Sequence, residues 1–420
     1  MIAMKPRILA GSVLAILTMS PVFAGTRALL PPQTGDMVPT VLLARTPAPS
    51  FGMAAAPASH VHLERQPVSI SWALPHDSSL LTTPQPFVRS SREYWIDAAA
   101  SSLQQGIELP LTAPGAIIRL SPSDPLAGKL QPATVHLQLG RHALTAGQAS
   151  SQIADARSLH EAGMDVPAAS LVMKLNPALG SGMATLRAPT ASGRYVVHVF
   201  EPQSAYTLTA AGNRDDVLLG RDVHVRVALH DANTEMPLQA VGGYLRAPDG
   251  HITTLTYQRQ TDGSFAVDVQ PKDIPATPGL WEVHSFSSGH DAAGNTVRRD
   301  TTTVFSAAVP DARLSGIAET ARASDQGIDI TLGVTVQGSS RYAVSAVLYG
   351  RSADGLMVPA AYAQSAAWLP RGNGQLVLHY NAASLTGIGA PYEVHDLRLQ
   401  DQPAIGLIER RAVALRFDTL

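Results

Sequence analysis

The 420-residue chain contains no cysteine. This excludes thiol catalysis, thiolate metal sites, disulfide staples and an acylated N-terminal cysteine together. Lysine is nearly as scarce: Lys5, Lys129, Lys174 and Lys272 are the only ones among 31 basic residues. With a formal net charge of −2, the chain offers no basic face, so no nucleic-acid partner is expected. Aromatic residues make up 5%, too few for the girdles of an outer-membrane barrel. Beyond the N-terminus no apolar run approaches the ~20 residues that a membrane-crossing helix needs, so no transmembrane segment is expected.

The common catalytic phrases are missing as well. There is no Gly-x-Ser-x-Gly elbow, and His160-Glu161 is followed by Ala-Gly-Met rather than by the second histidine of a zinc helix. Gly180-Ser-Gly182 runs into Met-Ala-Thr instead of completing a dinucleotide turn. Paired carboxylates assemble from distant positions, so an enzyme is made less expected by these absences without being closed off.

What the chain does have begins with an export leader. Lys5 and Arg7 precede the apolar run Ile8–Met19, and Val22-Phe23-Ala24 forms a small-residue cleavage site. Residues 1–24 are therefore expected to be a signal peptide and the mature protein to be exported, periplasmic or extracellular. Residues 25–66, rich in Pro, Ala and Thr without sustained period, are expected to be a linker or flexible arm. His60 and His62 with Glu64 alternate there in a way that could hold a metal. A site also needs a third or fourth ligand and a supporting shell, so the expectation is an exposed polar run.

The chain is organised around an eight-residue phrase that occurs three times: Gly193-Arg-Tyr-Val-Val-His-Val-Phe200, Gly279-Leu-Trp-Glu-Val-His-Ser-Phe286 and Ala390-Pro-Tyr-Glu-Val-His-Asp-Leu397. In a strand, side chains alternate between faces. Tyr195, Trp281 and Tyr392 thus share a face with Val197, Val283 and Val394, while His198, His284 and His395 point the other way. An aromatic opening a late strand in a block of roughly 100 residues suits a sandwich of immunoglobulin type. Gly263 to Trp281 and Gly374 to Tyr392 span 18 residues each, which marks the second and third blocks as duplicates. The prediction is an all-β protein of three tandem immunoglobulin-like β-sandwich domains: 67–202, 203–310 and 311–420. The first carries a short helical insertion at 151–163, where Ile153, Ala156 and Leu159 recur at helical spacing behind Ser151 as cap. Val68, Ile70, Trp72 and Leu74 alternate with Ser69, Ser71 and Ala73 as the half-buried first strand of that domain.

Tyr94-Trp95 leading to Ala116-Ile-Ile-Arg-Leu120, the Trp281-Glu-Val-His284 phrase, Ala363-Gln-Ser-Ala-Ala-Trp368 and Tyr392-Glu-Val-His-Asp-Leu-Arg-Leu399 carry a resemblance. The chain from about 67 to 420 resembles an exported gammaproteobacterial family known as domain of unknown function DUF4785. The resemblance implies tandem β-sandwich domains in an exported protein; it implies no activity and carries over no functional residue.

The repeated histidines sit in separate predicted domains. Glu282 and Glu393 lie two residues before His284 and His395, giving Glu-x-His pairs on an outer sheet face, whereas Val196 takes that place before His198. A polar outer face or an interdomain contact is the expected use, with a pH-responsive contact as a physical variant. His76-Asp77, His230-Asp231, His290-Asp291 and His395-Asp396 point to opposite faces if extended. Asp291-Ala-Ala-Gly-Asn295 lacks the spacing of a calcium loop and reads as a hairpin turn. No catalytic, cofactor-binding or metal residue is assigned, and no cofactor is expected. The expected function is that of an exported non-enzymatic binding or adaptor protein of the envelope or secretome, contacting a protein or envelope polymer. The competing reading is a hydrolase or metal-dependent enzyme with its site on the N-terminal domain.

Overall fold

Alternation decides most of the local structure. Along Val223–Asp231, Val223, Val225, Val227 and Leu229 are buried while His224 and Asp231 are exposed, as a strand with one face on a core requires. Asp262-Gly263 then turns the chain, with Gly263 at φ 86°, into the strand Phe265–Val269. The computed structural model describes residues 25–44, 65–78 and 85–419, and these form three β-sandwiches in tandem, each around its own apolar core.

The first core is enclosed by residues 94–199. One of its layers is a four-stranded sheet ordered Ile107–Leu111, Gly182–Arg187, His136–Leu139, His142–Thr145. The middle core, residues 208–309, has as one layer the sheet that runs from Gln258–Arg259 through Val223–Asp231 to Val88–Ser91. The other layer of both sandwiches is a single ten-stranded sheet. It passes from the middle unit to the first where Thr296–Ala308 meets Glu93–Ala99, with Asp300 opposite Glu93. The third core lies between a four-stranded and a five-stranded sheet.

The start of the described chain departs from expectation. Residues 25–44 belong to the third sandwich rather than forming a linker or arm: Gly25–Ala28 pairs antiparallel with Ala312–Arg322, and Leu29 is buried in the third core. Leu30 N donates to the Ala414 carbonyl, and Met37 and Arg410 exchange backbone hydrogen bonds. Val68–Ala73 is a strand as predicted, but it pairs with Met357–Leu369 of the third sandwich rather than opening the first. Its apolar side faces outward, so Val68, Ile70 and Trp72 are 43–47% exposed. Val88–Ser91 then completes the middle sandwich by pairing with Tyr206–Gly212. The chain thus contributes strands to the third and the middle unit before it builds the first. Local periodicity specifies a strand but says nothing of its partner.

The helical insertion is shorter than predicted. Ser150–Asp155 is a strand paired with Leu171–Leu175, and the helix covers only Ala156–Glu161, capped by the Asp155 side chain accepting from Ser158 N. Leu159 is its one buried residue, and a single apolar anchor suffices only for a short helix. Residues 1–24, expected to be a leader, and the His60, His62 and Glu64 run lie outside the described residues. No helix among the described residues is long and apolar enough to cross a membrane.

Candidate functional site

The three repeated histidines occupy equivalent positions on outer sheet faces, each held in the same way. His284 Nε2 lies 2.8 Å from Glu282 Oε2, and its ring stacks on Tyr244 of the adjacent strand at 4.4 Å. His395 Nε2 lies 2.7 Å from Glu393 Oε2 and stacks on Tyr349 at 4.1 Å. His198, where Val196 replaces the glutamate, takes its carboxylate across the strands from Glu93 at 2.8 Å and stacks on Trp95 at 5.0 Å. The His198 bond is the largest influence on Glu93, and the His284 bond on Glu282; each holds its carboxyl below the usual range. The structure does not bring the three together. His198 and His284 are separated by two strands of the ten-stranded sheet, and His395 lies in another sheet. Among the described residues no three His, Asp or Glu side chains are grouped to hold a metal ion. The triads clamp sheet surfaces.

Asp291 is likewise occupied. Its carboxylate accepts from Ala293 N, Asn295 N and Asn295 Nδ2 at 2.7–2.9 Å, closing the hairpin between Trp281–His290 and Thr296–Ala308 with Gly294 at φ 84°.

A concave site lies instead where the chain passes between the first and middle sandwiches. It crosses outward from Ser91 to Glu93 and returns through residues 201–205 between the strands Arg194–Phe200 and Tyr206–Gly212. The corner between the two units is a cleft of about 610 Å³, within the range of small-ligand sites. Ser90, Thr207, Thr209, His230 and Asn233 supply hydroxyl, imidazole and amide groups, Phe200 a half-buried ring and Arg92 an exposed cation. Alternation along Tyr206–Gly212 turns Thr207 and Thr209 away from the core that buries Leu208 and Ala210. His230 Nε2 lies 2.9 Å from Thr209 Oγ1, and that hydroxyl also reaches the Ala228 carbonyl at 3.3 Å.

Behind the cleft the joint is fixed by a fully buried ion pair. Arg299 Nη2 lies 2.9 Å from Glu201 Oε2, and neither side chain has measurable exposure. Arg299 also donates to Thr112 Oγ1, Ser204 Oγ and the Tyr206 and Arg298 carbonyls. Glu201 accepts from Thr112 N, Thr112 Oγ1 and Ala113 N. Every charge is therefore met by several hydrogen bonds, the condition under which a buried pair is tolerated. Beside it Asp300 Oδ2 accepts from Trp95 N at 2.7 Å while Oδ1 has no hydrogen-bond partner among the described residues, and burial pushes its carboxyl up to about 6. Of the cleft residues, only His230 stood out in the sequence, through its dipeptide with Asp231. Sequence alternation does not reveal the joint, although Arg298-Arg299-Asp300 inside an otherwise Thr- and Val-rich strand is its signal: adjacent charges put at least one on the face turned to a core, where a charge needs a buried partner.

Comparison with known proteins agrees with this architecture. Residues 59–201 match the N-terminal domain, and residues 311–417 the C-terminal domain, of the domain of unknown function DUF4785. A DUF4785 family protein of Legionella pneumophila superimposes with a TM-score of 0.67 at 19% identity, over 89% of this chain and 99% of that one. That likeness concerns the fold. Salmonella alpha-2-macroglobulin reacted with methylamine gives a TM-score of 0.21 at 11% identity, over 79% of this chain and 23% of that one. An Escherichia coli adhesin gives 0.18 at 13% identity, over 80% and 99%. Scores this low carry no argument. No curated protein matches the chain. With both terminal domains matched and a family structure covering nearly its whole fold, this chain belongs to the DUF4785 family.

Proposed function

We propose that this is an exported, non-enzymatic binding protein of the bacterial envelope or secretome, and that it takes a polyhydroxylated ligand, such as the end of an envelope glycan, in the cleft between its first and middle sandwiches. The observation that carries the reading is the cleft's composition on a fixed joint. Hydroxyl and amide groups surround one aromatic ring and one arginine, and the buried Arg299–Glu201 pair holds the two walls. Sugars are bound by such mixtures, because each ring offers hydroxyls at its edge and C–H groups on its face. Pre-organised walls reduce the ordering cost of binding. Export rests on the leader-like residues 1–24.

A hydrolytic reading would use Thr209 and His230, whose side chains meet at 2.9 Å. The Thr209 hydroxyl has a second acceptor for its proton in the Ala228 carbonyl at 3.3 Å, so its contact with His230 is not by itself the relay of an activated nucleophile. The geometry favours binding over turnover.

The test is isothermal titration of soluble peptidoglycan and lipopolysaccharide oligosaccharides into the mature protein and into a Thr207→Trp variant that fills the cleft. Saturable binding to one glycan class, weakened at least about tenfold by the substitution, is expected, with the oligosaccharide recovered intact. Absence of saturable binding to any of them, or cleavage of the sugar, would overturn the reading.

A further inference from the structure

The polar groups of the cleft between the first and middle sandwiches stand in a row. On the strand Tyr206–Gly212, Thr209 is opposite Ser90 of Val88–Ser91, and Thr207 is opposite His230 of Val223–Asp231. Their side chains therefore share one face across three neighbouring strands. The pairing of Val88–Ser91 ends with Ser91 opposite Leu208, and Arg92 is the single residue between that strand and Glu93–Ala99. The Arg92 carbonyl accepts from Glu201 N at 2.9 Å. Ladders on both sides and this bond fix the root of the Arg92 side chain at the end of the hydroxyl row, where Arg92 is exposed and lines the cleft.

That charge is unshared. Among the described residues Arg92 has no ion pair or side-chain hydrogen bond, and no Asp or Glu lines the cleft. The nearby carboxylates are committed elsewhere. Glu93, opposite Phe200, lies 2.8 Å from His198 and 3.9 Å from Arg89. Glu235, opposite His230, accepts two bonds from Arg226 at 2.7 and 3.2 Å. Asp231 follows His230 and takes the other face of the strand. Arg226, on the same sheet, has both Glu235 and Asp262 as partners, whereas Arg92 meets only neutral groups and His230 in the cleft.

We propose that the glycan end taken by this cleft is acidic: a sugar carboxylate of the uronic-acid kind on Arg92, with ring hydroxyls along Ser90, Thr209 and Thr207 and a C–H face against Phe200. The inference rests on the glycan reading and narrows it to one charge class. A guanidinium presents parallel N–H donors that match the two oxygens of a carboxylate. One arginine balances one negative charge, which favours a carboxylate over a phosphate monoester carrying about two. A neutral sugar would draw nothing from the charge of Arg92.

The test titrates trigalacturonate and its methyl ester calorimetrically into the full chain, with monomeric galacturonate beside galactose 1-phosphate to compare the two anions. Trigalacturonate is expected at one saturable site, at least about tenfold tighter than the ester, as a charge-assisted bidentate pair predicts. The difference should shrink as salt is raised. Arg92→Gln removes an exposed charge without a partner in the fold, so the denaturation midpoint should stay unchanged. It should bring the acid down to the affinity of the ester and leave the ester as it was. Arg92→Lys should restore part of the preference, since the charge remains without the fork. Arg141→Gln, at an exposed arginine outside the cleft, should change neither ligand. Equal binding of acid and ester would overturn the acidic assignment and leave the glycan reading standing. So would an acid preference that survives Arg92→Gln, or galactose 1-phosphate binding more tightly than galacturonate. Absence of saturable trigalacturonate binding would also overturn it; the glycan reading falls only if the peptidoglycan and lipopolysaccharide oligosaccharides fail to bind as well.

Discussion

At the scale of single residues, the joint between the first and middle sandwiches holds an ion pair with neither partner exposed. Arg299 and Glu201 have no contact with water, so removing one leaves the other charged and uncompensated. Arg299→Met should cost about 3–5 kcal/mol in chemical denaturation, whereas Arg299→Met with Glu201→Gln should cost clearly less than the sum of the single changes. Additive losses would show that the two side chains act separately. Asp300 acts with the opposite sign. Burial raises its carboxyl to about 6 in the folded state, against about 3.9 in an unfolded chain. Between those values the native state keeps a proton that the unfolded state releases, so stability falls as pH rises from about 4 to about 6 and is level above. A shift of about two units corresponds to at most about 3 kcal/mol. Asp300→Asn retains an acceptor for Trp95 N, removes the buried charge, and should flatten denaturation midpoints over that window. A wild-type profile already flat between pH 4 and 6 would show that Asp300 is not the group responsible. Glu282, held low chiefly by His284, contributes stability present above its unfolded value and lost as pH falls through its lower folded one. At a site a third exposed, that contribution is small.

At the scale of elements, the repeated phrase did most of what a sequence can do. The alternation that separates Trp281 and Val283 from His284 reappears as a buried face and a clamped outer face, and the equal intervals to Trp281 and Tyr392 mark strands that pack alike. Trp281 stacks on Phe305, and Tyr392 packs against Phe417, each on the following strand. What the sequence did not show is which strands meet. Val68–Ala73 reads as a strand wherever it sits, and its place beside Met357–Leu369 depends on contacts nearly 300 residues away in the chain. The polar cleft was illegible for the same reason, since Ser90, Phe200, Thr207 and Asn233 carry no signal until the fold brings three segments to one corner. Close backbone approach is equally hidden. A Cβ on Gly243 would lie 2.0 Å from the His284 carbonyl oxygen of the neighbouring strand, so Gly243→Ala must push apart the strands that hold the Tyr244–His284 stack. A loss of about 2–4 kcal/mol is expected on denaturation, against less than about 1 kcal/mol at Gly242, where added Cβ meets nothing within 4 Å. Equal losses at the two glycines would remove this explanation. Deleting residues 25–44 should destabilise the third sandwich by at least about 3 kcal/mol, because Leu29 leaves its core and the Gly25–Ala28 strand leaves its sheet. An unchanged melting profile would show that this segment is the loose arm its composition suggests.

At the scale of the whole molecule, the question is whether three cores behave as three domains. The first and middle sandwiches share a sheet, but at the crossing their strands meet through one residue pair, Asp300 with Glu93, so sheet continuity alone is a weak bond. The coupling must come from the side chains packed behind it, above all Arg299, whose guanidinium touches Glu201, Ser204 and Thr112 at once. These partners lie between the two cores or in the first unit, so unfolding either sandwich strands buried charges in the other. The two should therefore melt in one calorimetric transition, and amides of Val223–Asp231 and Arg194–Phe200 should exchange with the same opening free energy. Arg299→Met with Glu201→Gln removes the charges that make independent unfolding costly. It should split that transition in two and weaken glycan binding in the cleft by loosening its walls, while leaving each core intact. Two separate transitions in the wild-type protein would mean that the units are coupled only by the chain, and that the cleft between them opens and closes freely. A single transition that persists in the double variant would place the coupling in the shared sheet instead.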